Sequence, residues 1–147
     1  MPQMIFVNLP VADVDKSVAF YGAIGATRDE RFSQPGQGEM MVWSDAISFM
    51  LLSHDFFRGF LPAGKAIADA RSTTEVLLAL SCDSREAVDA ITEAAAEAGG
   101  RADPRPAQDL GWMYGRSFED LDGHIFEPSY MDLDAAMQAM ASRTEAA

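Results

Sequence analysis

The sequence predicts an α+β fold built from two β-α-β-β-β modules, and three observations lead to this prediction. Residues 9–26, LPVADVDKSVAFYGAIGA, have an echo in residues 78–100, LALSCDSREAVDAITEAAAEAGG. Each copy is typical of a strand, an acidic turn, an amphipathic helix and a glycine stop. Strand-like segments follow each helix. A repeated unit therefore organises most of the 147 residues, which we treat as one domain, 1–147.

Module 1 is predicted over residues 4–53 and begins with a strand at 4–9, whose alternation puts Phe6 and Asn8 on one face. Asp13 is the expected N-cap of the helix that follows, because its carboxylate can accept a hydrogen bond from a free amide of the first turn. Glycines then end the helix. Three strands are expected after it, at residues 28–32, 40–43 and 46–52.

Module 2 is predicted over residues 75–131 on the same plan. Asp83 and Glu86 stand at capping-box spacing before its helix, and Gly99 with Gly100 closes that helix. Its later strand-like pieces are at residues 101–107, where prolines break the pattern, 112–118 and 124–130.

Two segments lie outside the modules. Residues 54–74 are too rich in proline, glycine and polar residues for a regular element over most of their length, but Phe56, Phe57 and Phe60 indicate that this linker packs on something. Residues 132–142 predict a short helix. Its methionines are expected to pack against the body of the protein or a second subunit.

Composition limits the function classes. The net charge of −12 is unfavourable for binding nucleic acid or an anionic membrane, and attracts cations. No apolar run approaches the ~18 residues of a membrane helix, and the N-terminus lacks the pattern of a signal peptide. The single cysteine, Cys82, excludes an internal disulfide. We therefore expect a cytoplasmic protein without a nucleic-acid or membrane partner.

The two ends of the repeat carry a resemblance to a known family. Residues 4–26, MIFVNLPVADVDKSVAFYGAIGA, and 115–130, GRSFEDLDGHIFEPSY, resemble the glyoxalase, bleomycin-resistance and extradiol-dioxygenase group, the vicinal oxygen chelate superfamily. The resemblance implies a glyoxalase-like fold, in which two modules side by side form a half-open barrel around a cavity. It also implies a homodimer.

Metal-dependent members of the superfamily take ligands from four strand positions, so each position matters here. The resemblance puts them on Phe6, Met50 or its neighbour Phe49, Leu77 and Glu127. Only Glu127 keeps the ligand type, and one carboxylate cannot hold a catalytic divalent metal. No cofactor is therefore expected. Phe6 and His54 are expected among the ligand-binding residues, with His54 at the mouth of the cavity where the last strand of module 1 ends. A metal site rebuilt from His54 and Glu127 is the disfavoured alternative.

With the metal ligands replaced, polarity in the cavity must come from other side chains. Asn8 shares the face of Phe6 and can donate and accept hydrogen bonds. In GWMYGRSF, residues 111–118, strand alternation puts Trp112, Tyr114 and Arg116 on one face, which suits a flat ligand. The alternative is that this face points outward and packs under a dimer partner or under the linker.

Two functions remain open from the sequence. The first is a metal-free protein that binds a small molecule, cationic or aromatic in character, as the bleomycin-resistance branch does. The second is an enzyme of the same superfamily. It would be a metal-dependent lyase or dioxygenase, similar to lactoylglutathione lyase, or a metal-free enzyme with Glu127 as general base.

Overall fold

The computed structural model describes residues 2–146. Its strands and helices are, in chain order, β1 (Ile5–Val11), α1 (Val14–Ala23), β2 (Thr27–Gln34), β3 (Gly38–Val42), β4 (Ile47–Ser53), α2 (His54–Arg58), β5 (Leu77–Ser81), α3 (Arg85–Glu97), β6 (Arg101–Ala102), β7 (Gln108–Asp109), β8 (Met113–Gly115), β9 (Phe118–Glu119), β10 (Ile125–Met131) and α4 (Leu133–Ala146). None of the helices in this part of the chain is both long and apolar enough to cross a membrane.

The two modules have the same strand order. In module 1 the sheet runs β1-β4-β3-β2, with β1 parallel to β4. In module 2, β5 is parallel to β10. The other edge of β10 pairs antiparallel with β9 near its start and with β8 near its end. β6 then pairs with β9, and β7 pairs with β8. The two sheets curl into a half-open barrel, which confirms the predicted α+β fold class.

The helix caps agree with the sequence in one module and correct it in the other. In module 1 the Oδ1 atom of Asp13 accepts a hydrogen bond from the amide of Lys16 at 3.0 Å, as predicted. In module 2 the prediction of Asp83 with Glu86 is wrong by one residue. The cap is Ser84, whose Oγ accepts from the amide of Ala87 at 3.0 Å. The extended conformation of Ser84, at φ −157° and ψ 164°, leaves Asp83 outside the helix.

The linker and the C-terminal helix each differ from expectation in one respect. The linker contains a five-residue helix, α2, capped by the Ser53 side chain. Phe56 packs edge-to-face on Phe60, with ring centroids 5.3 Å apart. Helix α4 runs beyond the predicted residue 142, and its Met137 and Met140 are 70% and 54% exposed. The prediction that these methionines pack against the body of the chain is therefore wrong. Their packing against a second subunit stays a prediction.

One aromatic core joins the two modules. Phe126 of β10 stacks on Phe118 at 5.2 Å and meets Phe49 of β4 edge-to-face at 5.5 Å. Tyr21 of α1 also contacts Phe126, at 5.9 Å, and its hydroxyl donates to Asp120 at 2.7 Å. Because these groups belong to both modules, neither module completes its core alone.

Candidate functional site

The strand registers decide which candidate residues share a face. In module 1, Asn8 pairs with Met50, and Phe6 lies two residues earlier on the same face of β1. Phe49 points the other way into the core and is 1% exposed, so the ligand position of the superfamily falls on Met50. In module 2, Leu77 pairs with Ile125, two residues before Glu127 on β10.

Two cavities, each about 320 Å³, lie under the linker where β1 and the start of β10 meet it. Both are lined by the same five residues, Pro10, Ile67, Ala68, Ala70 and His124. The cavities are therefore neighbours that share a wall. Of the predicted ligand-binding residues, Asn8 lines one cavity and His54 lines the other.

The first, which we call the apolar cavity, is bounded mainly by aliphatic and aromatic side chains. Beyond the shared residues, its apolar wall consists of Leu9, Phe57, Leu61, Val76 and Ile125. Asn8 provides the polar group from β1, and further polar groups come from exposed linker positions, namely Lys65, Thr73, Thr74 and Glu75. An apolar wall with few polar groups is typical of small-molecule sites.

The second, which we call the polar cavity, brings together ionisable side chains from three parts of the chain. They are His54 and Arg58 from α2, Asp69 and Arg71 from the linker, and Asp122 and His124 from the turn before β10. The Oδ1 atom of Asp122 accepts from the amide of Ala12 at 2.8 Å, which ties this turn to the end of β1.

The turn before β10 is held by a buried carboxylate. The Oδ1 atom of Asp120 accepts from the amides of Asp122 and His124, both at 2.9 Å, and its Oδ2 accepts from Tyr21. Burial raises the pKa of Asp120, and burial followed by the nearby Asp120 charge raises the pKa of the Tyr21 hydroxyl. This network fixes the position from which His124 enters both cavities.

His124, in the turn before β10, lines both cavities. Its Nε2 lies 2.9 Å from the Pro10 carbonyl oxygen. A carbonyl oxygen only accepts, so Nε2 carries the proton and Nδ1 is the remaining polar atom of the ring. The preceding Gly123 has φ +96°, and a Cβ there would lie 2.9 Å from the Ala70 carbonyl oxygen. A glycine is therefore required where the turn meets the linker.

Glu127 lies outside both cavities and has a partner that the sequence did not predict. Its Oε2 is 2.6 Å from the guanidinium of Arg105, and its side chain is 21% exposed. A guanidinium therefore balances the charge of Glu127, and its role as a general base stays a prediction. Phe6, also outside both cavities, is 48% exposed on the open face of β1.

The residues present do not fit the divalent metal that the superfamily commonly uses. Three of the four ligand positions hold side chains without an oxygen or nitrogen donor, namely Phe6, Met50 and Leu77. The fourth, Glu127, is ion-paired with Arg105. Within residues 2–146, no three His, Cys, Asp or Glu side chains form a group suited to a metal ion. His54 lines the polar cavity, and Glu127 does not.

The face that carries Tyr114 and Arg116 points away from the cavities. Tyr114 pairs with Tyr130, while its neighbour Gly115 pairs with Ser129 on the Glu127 face, so alternation turns Tyr114 towards α3. The Tyr114 hydroxyl and the Arg116 guanidinium both donate to Asp89 of α3, at 2.7 and 3.0 Å. These donors lower the pKa of Asp89.

The prediction that Trp112, Tyr114 and Arg116 line the cavity is therefore corrected, because none of them lines either cavity. Tyr114 and Arg116 contact helix α3 of the same module, which is neither of the two covers that the outward alternative named. Arg116 is 12% exposed and also pairs with Asp103 and Glu93. Trp112 precedes β8, and its carbonyl accepts from the amide of Asp132. The sequence alone does not show which face of the sheet the helix of module 2 covers, so strand alternation could not predict the contact with α3.

Comparisons with known proteins agree with this architecture. Residues 3–36 match the family described as bleomycin resistance protein-like N-terminal. No curated protein is significantly similar to the chain in sequence. A hypothetical protein of S. aureus is similar in structure, with a TM-score of 0.71 and 26% identity, covering 88% of this chain and 94% of that one.

Two further solved structures share the fold at lower identity. A glyoxalase/bleomycin resistance protein/dioxygenase family enzyme of Burkholderia phytofirmans has a TM-score of 0.68 and 17% identity, covering 88% of this chain and 99% of that one. The fosfomycin resistance protein FosX of Listeria monocytogenes has a TM-score of 0.63 and 19% identity, covering 91% and 97%. By its fold, the chain is therefore similar to solved proteins of the glyoxalase, bleomycin resistance and dioxygenase group, and its residues 3–36 carry a match to the bleomycin resistance protein-like N-terminal family.

Proposed function

We propose that this protein binds a small organic molecule in the cavities under the linker, without help from a divalent metal. The observation that carries the proposal is the pair of adjoining cavities, each about 320 Å³, bounded by β1, the linker and the turn before β10. This volume is at the lower end of the range typical of ligand sites. Phe57 offers a ring for contact with an aromatic ligand.

The metal-free part of the proposal rests on the side chains at the ligand positions. Phe6, Met50 and Leu77 offer no hard donor, and Glu127 is held by Arg105 at 2.6 Å. A catalytic metal in proteins has about three oxygen, nitrogen or sulfur ligands from side chains. Binding in these cavities should therefore persist when chelator removes free divalent metal.

The test is a binding measurement with a cavity-filling variant. Wild-type protein would be titrated calorimetrically with a panel of cationic, neutral and anionic aromatic compounds, in EDTA and then in nickel, zinc, manganese or ferrous iron. Ala68 lines both cavities, so an Ala68→Trp variant should lose binding. Ala63 is an exposed linker residue outside both cavities, and Ala63→Trp is the matched control.

The opposite result would point to the enzyme alternative. About one tightly held metal per chain in tag-free protein, lost in a Glu127→Gln variant, would contradict the metal-free proposal. It would favour a lyase or dioxygenase with a rearranged ligand set. Equal binding by the Ala68→Trp and Ala63→Trp variants would contradict the assignment of these cavities as the site.

The proposal also includes a cytoplasmic homodimer. Helix α4 exposes Leu133, Met137 and Met140 at 68%, 70% and 54%, and their spacing puts them on one face. Apolar surface of this kind is typical of protein interfaces. Light scattering after gel filtration should give twice the mass of 15.9 kDa, and a Met137→Glu variant should give the monomer mass.

A further inference from the structure

Resting on the proposed function, we propose that the ligand is an apolar carboxylic acid. Its hydrophobic body occupies the apolar cavity, and its carboxylate lies in the polar cavity beside Arg58 and Arg71. The proposal follows from three features of the cavities, namely their shared wall, the composition of the apolar wall and an excess of uncommitted hydrogen-bond donors in the polar cavity.

The shared wall allows one molecule to reach both cavities. Pro10 of β1, Ile67 of the linker and His124 of the turn line both of them. The shared wall is mostly apolar, and the imidazole of His124 is its polar side chain. A ligand with chemically different ends can therefore lie along this wall with each end in a different environment.

The apolar cavity is suited to a hydrocarbon or aromatic body. Phe57, Leu61 and Ile125 approach it from α2, the linker and β10. The side-chain amide of Asn8 can form hydrogen bonds with a polar substituent on the hydrophobic body of the ligand. Burial of apolar ligand surface here provides binding free energy without discriminating between charged heads.

The polar cavity has more free donors than free acceptors. The Oδ1 atom of Asp69 accepts from the backbone amide of Arg71 at 3.0 Å, and the Oδ1 atom of Asp122 accepts from Ala12, so each carboxylate keeps its Oδ2 while the two arginines keep most of their N–H groups. In the described part of the chain, the Arg71 guanidinium has one hydrogen-bond partner, the Leu121 carbonyl oxygen, at 3.5 Å. That distance is too long for a strong bond, so nearly all its N–H groups remain for a ligand.

Arg58 adds a second guanidinium to the same cavity. Its partner, Asp55, is 97% exposed, so their ion pair is a surface contact that contributes little and competes weakly with a ligand. A carboxylate matches the paired N–H groups of a guanidinium in a bidentate arrangement. A cationic head would meet the same two guanidiniums, with Asp69 and Asp122 as its only carboxylate neighbours among the lining residues. The proposed preference for an acid therefore rests on the free N–H groups of Arg71 and Arg58, and it opposes the attraction of cations by the net charge of −12.

The test compares three compounds that share one body. Wild-type protein would be titrated with 2-naphthoate, 2-naphthylmethanol and 2-naphthylmethylamine in the presence of EDTA. We expect 2-naphthoate to bind at least about tenfold more tightly than the other two, a difference of about 1.4 kcal/mol. In an Arg71→Gln variant, 2-naphthoate should lose about tenfold in affinity, whereas the alcohol should bind as before.

The matched control removes one charge elsewhere. Arg31 pairs with Asp29 on β2 and lines neither cavity, so Arg31→Gln makes the same change in net charge without touching the site. Its affinity for 2-naphthoate should be unchanged. Unchanged alcohol binding by Arg71→Gln also shows that the cavities are intact in that variant.

The possible failures are distinguishable. If the amine or the alcohol binds as tightly as 2-naphthoate, or if Arg31→Gln loses as much affinity as Arg71→Gln, the acid assignment is overturned while the proposed binding function stands. If none of the three compounds binds to wild-type protein, and the wider panel also fails, the proposed function is overturned as well.

Discussion

The two modules have the same strand order but stabilise their outer strands differently. In module 1, β2 and β3 are continuous, eight and five residues long, and pair with each other and with β4. In module 2 the corresponding strands are divided into pieces of two or three residues, β6 with β7 and β8 with β9. Prolines 104 and 106 fall in the first gap, where an amide for a sheet hydrogen bond is missing.

Side-chain charges replace part of the lost backbone pairing in module 2. The Arg116 guanidinium lies within 3.1 Å of three carboxylates, on Asp89, Glu93 and Asp103. Hydrogen bonding to these carboxylates, to Asp103 first, raises the pKa of Arg116 despite the opposing effect of burial. Module 1 has an ion pair of its own, between Arg28 and the buried Glu39, but both residues lie on long strands. The comparison teaches that a repeat preserved in topology can keep long outer strands in one copy and short strand pieces in the other, where Arg116 joins α3 to the gap after β6.

The largest expected effect comes from the core that both modules share. A Phe126→Ala variant removes a ring that contacts Tyr21, Phe49 and Phe118, and should lower the free energy of unfolding by about 3–5 kcal/mol. Urea denaturation measures this loss. Phe32→Ala, at a position 56% exposed on β2, is the control and should be nearly neutral. Two separate unfolding transitions in wild-type protein would contradict the single shared core.

The hydrogen bond that joins the modules should have the next largest effect. Tyr21→Phe keeps the ring and removes the hydroxyl that donates to the buried Asp120 at 2.7 Å. Leaving a buried acceptor with one donor fewer should cost about 1–3 kcal/mol. The same urea experiment measures it. A loss equal to that of Phe126→Ala would mean that the ring, not the hydroxyl, is disturbed.

Arg116→Gln tests the ion-pair network of module 2 directly. The side chain is 12% exposed, and its loss leaves Asp89, Glu93 and Asp103 close together, so we expect about 1–2 kcal/mol of destabilisation. Arg85→Gln, at a pair whose side chains are 39% and 53% exposed, should cost less. Because these charges are near the surface, added salt should reduce both losses. Equal losses for both variants would contradict a special role for Arg116.

The smallest expected effect is on pH dependence. Hydrogen bonds from Arg85 and from the amide of Gly111 lower the pKa of Asp109 to about 2. A carboxylate whose pKa is lower in the folded state stabilises the fold above its unfolded pKa, about 3.9, and loses that contribution as the pH falls towards 2. The stability difference between wild type and Asp109→Asn should therefore shrink between about pH 5 and pH 2. A difference that grows over this range would contradict the assignment.

The candidate site was only partly predictable, for reasons that particular residues make clear. Asn8 was identified as a cavity residue because strand alternation puts it on one face of β1, and His54 because it follows the end of β4. Both features depend on local sequence. Arg58 and Arg71 were missed because the linker carries no periodic pattern, and they enter the site only through its path over β1. Arg105 was missed as the partner of Glu127 because they are separated by 22 residues. Tyr114 and Arg116 were assigned to the wrong side because alternation fixes which residues share a face but not which face the helix covers.

By itself the sequence determined the repeat, the β-α-β-β-β plan of each module and the cap at Asp13, since each depends on residue type and local spacing. The family resemblance added the three replaced metal-ligand positions. Only the tertiary structure decided the pairing of Glu127 with Arg105, the orientation of Tyr114 and Arg116 towards α3, and the cavities under the linker. These features depend on contacts between segments far apart in the chain. Such contacts form only when the two modules close around their common aromatic core.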